Sequence, residues 1–182
     1  MKRVLIGALL ASVVMFVWGF LFWGISPLPG RFMKSVPDEP GLAQKLQEAL
    51  PETGLYVLPN MGPGASQEEF TRRHLAGPLA QITFVRQGTN PMGGGTMGGG
   101  WLHMFGAALL MGVILLQVPG VPTPYQRFCI LALVAAVAAY WTNLGKPIWW
   151  HQPWDFHLLY AVYDLTSLLI AAAILGWYVK KA

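Results

Sequence analysis

Residues 4–24 read VLIGALLASVVMFVWGFLFWG, and this stretch decides the fold. It carries no charge, and as a helix rising about 1.5 Å per residue it reaches across a hydrocarbon core of roughly 30 Å. Met1-Lys2-Arg3 precedes it, so the opening also has the form of a secretory signal. Two features oppose that reading. The run is longer than a signal's apolar region, and Ile25-Ser26-Pro27-Leu28-Pro29 follows it in place of a small-residue cleavage site. The expectation is an uncleaved first membrane helix.

Three further apolar runs follow, at 101–118 (WLHMFGAALLMGVILLQV), 128–144 (FCILALVAAVAAYWTNL) and 156–179 (FHLLYAVYDLTSLLIAAAILGWYV). Each approaches spanning length. PGVPTPYQ separates the second run from the third, a break no helix continues through. GKPIWWHQPWD separates the third from the fourth and reads as a short, Trp-rich loop. Composition agrees: 54% of residues are hydrophobic and 11% charged, against about 25% charged in an ordinary soluble domain. The net charge of +4 is explained by Lys and Arg beside apolar runs, without nucleic acid. The single cysteine, Cys129, lies in an apolar run and reads as a small buried hydrophobe.

Charges in the short loops set an expected orientation. With the N-terminus in the cytoplasm, Lys2, Arg3, Arg127, Lys180 and Lys181 all fall inside, with no acidic residue among them. Residues 28–100 then lie outside, in the periplasm of a bacterial-type inner membrane. Trp23, Trp101, Trp141, Trp149, Trp150 and Trp154 gather at the outer boundary, and Trp177 and Tyr178 mark the inner one before Lys180 and Lys181. Trp18 is the exception, within the first helix. Small-residue pairs four apart suit close helix contact: Gly7/Ala11, Ala8/Ser12, Ala108/Gly112, Ala132/Ala136, Ala135/Ala139 and Ala172/Gly176.

Residues 28–100 are different material, with six acidic and six Lys or Arg residues among prolines and glycines. The apolar spacing of Leu42, Leu46, Ala49 and Leu50 predicts a helix that Pro51 stops. Residues 54–59 predict a strand. Residues 67–75 predict a second helix, with Ser66 as N-cap and Glu69 three residues on. Residues 81–86 predict a second strand. The expected fold is thus an all-α membrane protein of four transmembrane helices, with a small α+β insert of αβαβ order between the first two. The insert is too small to bury much core alone. The Gly-rich stretch at 88–100 reads either as a flexible linker or as an ordered, closely packed loop. It lacks the Lys-Ser/Thr of a phosphate-binding loop. Met92 and Met97 within it are too few thioethers to indicate copper.

The chemistry-bearing residues concentrate toward the outer face. Asp164 is the one acid inside a predicted span, and an ionisable residue at that depth marks a functional site by default. His157 precedes it by seven residues, about 10 Å along a helix, with Tyr160 between them on the same face. Thr142 and Asn143 at the end of the third run are placed to join an intramembrane polar site of Asp164, Tyr160 and Asn143. The competing reading of Asp164 is a structural hydrogen bond between helices. His103 and His157 sit at matched depth on two helices, the arrangement a haem or metal would need. Near the interface, His also serves simply as an amphipathic anchor. His103, His151, Asp155 and His157 include the right ligand types for zinc but no spacing signature. His74 reads as a surface residue of the insert. No nucleophile elbow or Ser-His-Asp arrangement stands out, which argues against an enzyme.

The opening MKRVLIGALLASVVMFVWGFLFWG, Pro27 soon after it, and GLYVLP at 54–59 together resemble small bacterial inner-membrane proteins. Those share a basic start, a Trp-bearing first helix and an outer insert with a Gly-x-Tyr-Val-x-Pro run. The resemblance covers about the first third of the chain and implies location, without activity or site residues.

The leading functional expectation is a non-catalytic accessory subunit of a larger membrane complex, of which respiratory and photosynthetic assemblies are examples, with protein and lipid as its partners. One alternative is a redox protein holding haem or a metal through His103 and His157. Another is a small proton-linked transporter working through Asp164, which four helices without an inverted repeat suit poorly.

Overall fold

The computed structural model describes residues 1–179, so the expected Lys180-Lys181 stop lies outside the described residues. Four helices in it are long and apolar enough to cross a membrane. These are α1 (Lys2–Gly19, continued by π-helical turns over Phe20–Ile25), α5 (Gly94–Gln117), α6 (Pro124–Trp150) and α7 (Trp154–Tyr178). Between α1 and α5 the chain forms α2 (Leu28–Phe32), α3 (Glu39–Ala49), β1 (Gly54–Leu58), α4 (Gln67–Ala76) and β2 (Ala80–Phe84). It divides into two compact units. One holds residues 1–34 and 91–182, and the other holds residues 35–90.

In the first unit, Val4, Ala8, Ala11 and Met15 form one buried stripe of α1. The spacing of three and four keeps them on a single face. They meet Ala108, Met111 and Leu115 of α5 and Ala171, Ala172 and Leu175 of α7. In lipid, apolar surface gains little by leaving its solvent, so close van der Waals fit has to hold such helices together. Glycine supplies the fit at two points. A Cβ on Gly112 would lie 2.6 Å from Val4 Cγ1, and one on Gly176 would lie 3.1 Å from both Phe128 N and Pro124 O. Of the expected small-residue pairs, Gly7/Ala11, Ala8/Ser12, Ala108/Gly112, Ala135/Ala139 and Ala172/Gly176 are buried, while Ala136 is exposed and Ala132 only half-buried.

Three boundaries move outward from the sequence reading. The helix expected from Trp101 begins at Gly94, so the second half of the Gly-rich stretch is neither linker nor packed loop. The backbone continues its own hydrogen-bond ladder there, and no other part of the described chain comes within 4 Å of a Cβ built on Gly94, Gly95, Gly98, Gly99 or Gly100. The helix expected to end near Leu144 runs through Pro147 to Trp150, and His151 closes it in a left-handed conformation at φ 51°. Pro147 removes one N–H from the ladder, a loss that neighbouring packed helices accommodate. The Trp-rich loop therefore shrinks to residues 151–153. At the end of α1, Ser26 N donates to Leu21 O, five residues back, at 2.9 Å. That wider turn holds Phe22, which is buried, and Trp23, whose ring packs at a tilt against Tyr160 of α7.

Arg127, one of the basic residues of the short loops, is buried at 4% exposed. Thr123 and Gln126 form a reciprocal capping box that starts α6, and Arg127 follows at once. Its Nε donates to Gly176 O at 2.8 Å, and its Nη1 donates to Pro122 O at 2.8 Å and Val121 O at 3.2 Å. A cation among carbonyls near the C-terminal end of α7 also suits the negative end of that helix dipole.

The second unit matches the αβαβ expectation. Its strands pair antiparallel from Gly54↔Phe84 to Leu58↔Ala80. Ser66 caps α4 by accepting from Glu69 N at 3.1 Å, while the Glu69 carboxylate turns to Arg72 at 2.7 Å instead of reciprocating. Asp38 caps α3 from Gly41 N at 3.0 Å. Arg86 donates to Gln47 O and Leu50 O, tying the end of β2 to the end of α3.

Candidate functional site

The helices of the first unit stand in the order α5, α1, α7, α6. α1 packs along both α5 and α7, and α7 packs along α6, whereas α5 and α6 make no extended contact. Between them lies a cleft of about 460 Å³, backed by α7 and touched by Met15 of α1. A volume of this size falls in the range of small-molecule pockets, roughly 300–1,000 Å³. Most of its lining is apolar. The polar groups are His103 from α5, Thr142 from α6, and Tyr163, Asp164 and Ser167 from α7.

Asp164 and Asn143 come together as their positions suggested. Asn143 Nδ2 donates to Asp164 Oδ2 at 2.8 Å and to Ala139 O, one turn back, at 3.1 Å. Asn143 is buried, so this bond joins α6 to α7 in a water-poor setting. Such bonds contribute about 0.6–1 kcal/mol between membrane helices. Asn143→Ala is accordingly expected to lower stability by about 1 kcal/mol, read as a small drop in the thermal unfolding midpoint in detergent. An unchanged midpoint would show that the pair contributes nothing to packing.

Tyr160 lies one turn from Asp164 on α7, outside the cleft lining. Its ring lies 4.6 Å from Trp23 and 4.8 Å from Phe156, within an aromatic cluster joining the π-helical end of α1 to α7. Trp23 and Phe22 also pack on Tyr163, at 5.2 and 5.1 Å. The Tyr163 hydroxyl sits against Gly19, where a Cβ would lie 2.8 Å from it. Trp18, the tryptophan out of place in an interfacial belt, has its own explanation: its indole N–H donates to Thr166 Oγ1 of α7 at 3.1 Å. An aromatic ring with one polar atom is satisfied inside a bundle once that atom finds a partner.

The two histidines differ in surroundings. His103 lines the cleft with Asp164. His157 is outside the cleft lining; its Nε2 meets Gln152 Oε1 at 2.5 Å, and its ring packs near Phe156 and Tyr160. No cluster of three or more His, Cys, Asp or Glu side chains placed to hold a metal occurs among the described residues.

Tyr163 and Ser167 belong to the site although sequence reading passed them over. Their signal was present, since Ser167 stands three residues after Asp164 and so shares its face. Ser167 is 4% exposed and its Oγ completes no hydrogen bond of good geometry, although the Tyr163 hydroxyl lies near enough to interact with it. The site is therefore a mainly apolar, laterally open cleft with a small polar group around one carboxylate. Set against protein-family models, curated proteins and solved structures, the chain matches none of them.

Proposed function

We propose that this chain is a multi-pass membrane protein serving as a non-catalytic subunit of a larger membrane assembly. The observation carrying the reading is the makeup of residues 35–90. Among them only Leu50 is a buried hydrophobe, while Leu75 is 82%, Leu55 59% and Val85 55% exposed. A folded unit of this size normally stands on an apolar core. Apolar side chains left outside suit a surface that a partner protein covers. The four apolar helices support the membrane location, and the short-loop charges support cytoplasmic ends with residues 35–90 on the periplasmic side.

The test is extraction of tagged protein from its native membrane. It is expected to resist alkaline carbonate, and then to migrate in mild detergent with stoichiometric partners identified by mass spectrometry. The double variant Leu55→Glu, Leu75→Glu is expected to stay in the membrane and lose those partners. Release by carbonate would remove the membrane reading. A lone species in mild detergent would remove the subunit reading and leave the helices in lipid.

A further inference from the structure

We propose that the cleft between α5 and α6 binds one lipophilic molecule with an uncharged hydroxyl head, seated at Asp164 with its tail running deeper between the two helices. The inference rests on the membrane reading of the helices and not on the subunit reading.

The first argument is the layering of the cleft. His103 lies nine residues after α5 begins, Thr142 eight before α6 ends, and Asp164 ten after α7 begins. Consecutive antiparallel helices place these three ends together, so the polar groups share one level, about 12–15 Å in. Apart from Ser167, one turn beyond Asp164, the lining farther along is apolar, including Ala107, Leu110 and Ile114 of α5 and Ala138 and Val134 of α6. A polar layer above an apolar slot is the outline of an amphiphile.

The second argument is the chemistry of the layer. Among the described residues Asp164 takes one hydrogen bond, from Asn143, and a carboxyl group has capacity for more. Ser167 Oγ, one turn farther along α7, is buried and has the Tyr163 hydroxyl near it, though without a bond of good geometry. A hydroxyl head donates to the carboxylate and accepts from a neighbouring hydroxyl or imidazole. A phosphate or carboxylate head only accepts, and it would face Asp164 with no Lys or Arg in the lining to offset the charge. The third argument is access. Because α5 and α6 do not close on each other, a molecule enters sideways from the bilayer without passing through water.

The experiment uses the full chain in phosphatidylcholine nanodiscs with hexadecanol carrying a diazirine in its tail. Labelling is expected on the α5 and α6 peptides that contain Ala107, Leu110, Val134 and Ala138. Unlabelled hexadecanol is expected to compete, and palmitate is not. Ala138→Phe, which fills the slot from a half-exposed position, is expected to abolish the labelling. Asp164→Leu is expected to weaken half-saturation by about tenfold, the loss of one good polar contact. Both variants should elute as the wild type does.

Labelling that falls equally on Leu133 and Val137, exposed on α6 outside the cleft, and that ignores Ala138→Phe, would reduce the site to ordinary surrounding lipid and overturn the proposal. Stronger competition by hexadecylamine would make it a cation site. Labelling seen only after detergent stripping, and never in native membranes, would assign the cleft to a partner's helix.

Discussion

Arg127→Ala is expected to cost more stability than any other single substitution at the α6–α7 junction. The guanidinium supplies donors to three carbonyls, those of Val121, Pro122 and Gly176, while itself 4% exposed. Two of those carbonyls precede α6 and one lies near the end of α7, so one side chain closes the loop before α6 onto the helix that ends beside it. Alanine leaves all three acceptors without their donor; the bond to Gly176 O is buried, and a hydrogen bond from a charged group contributes about 1.5–3 kcal/mol, while the carbonyls of Val121 and Pro122 are only partly buried and regain water. The expected loss is about 2–3 kcal/mol, set chiefly by the Gly176 contact and the lost packing of the side chain. Reversible unfolding in mixed detergent would measure it. Arg127→Lys is expected to recover only part, because one ammonium lacks the planar fork that reaches carbonyls on two segments. A loss below about 1 kcal/mol for Arg127→Ala would show that lipid headgroups or water take over the carbonyls.

Gly112→Ala is the second. The added methyl would stand 2.6 Å from Val4 Cγ1, a contact neither side chain escapes by rotating a long stem. Val4 is 1% exposed and β-branched, so α1 and α5 must separate. Overpacking of this kind costs about 1–3 kcal/mol. Because the conflict is with one methyl group, Val4→Ala is expected to rescue Gly112→Ala, and the double variant should be more stable than the Gly112→Ala single variant. A double-mutant cycle with no coupling would mean that the two helices approach each other elsewhere. The same reasoning puts Gly176→Ala beyond rescue by a side-chain change, since its neighbours at 3.1 Å are backbone atoms of α6.

How far these features were legible varies with their physical origin. The four apolar helices came straight from the sequence, because an uncharged run of sufficient length has few other stable outcomes. The αβαβ order of residues 39–84 was legible for a similar reason: Ser66 and Glu69 mark a helix start, and the alternation near Ile82 marks a strand. Helix ends were read less well. Gly94 to Gly100 and Pro147 are residues that end helices in water, yet here they lie within them. Where neighbouring helices or lipid replace water, an open backbone group has no alternative partner, and the ladder persists past weak residues.

The site was half legible. A lone acid within an apolar run singled out Asp164, and Asn143 at a helix's end was a reasonable partner. Tyr160 was grouped with them by spacing along one helix. That spacing says which residues share a face and nothing about which neighbour the face meets; the turn at Phe20–Ile25 brings Trp23 to Tyr160 and draws it into an aromatic cluster. Arg127 enters the sequence reading only as one of the basic residues that set the orientation, and nothing in its local sequence says that it is buried. Only the packing of Gly176 against Phe128 and Pro124, on a helix far away in sequence, brings in the Gly176 carbonyl that Arg127 meets across 49 positions.

By itself the sequence determined the number of apolar helices, the α+β character of the segment between the first two, and the presence of one acid deep within one of them. Those are local properties of length, charge and spacing. The tertiary structure decided that α5 and α6 stand apart, that His103, Thr142, Tyr163, Asp164 and Ser167 line the resulting cleft, and that His157 does not. Those depend on which faces approach, and that is set in part by where a glycine lets two helices close.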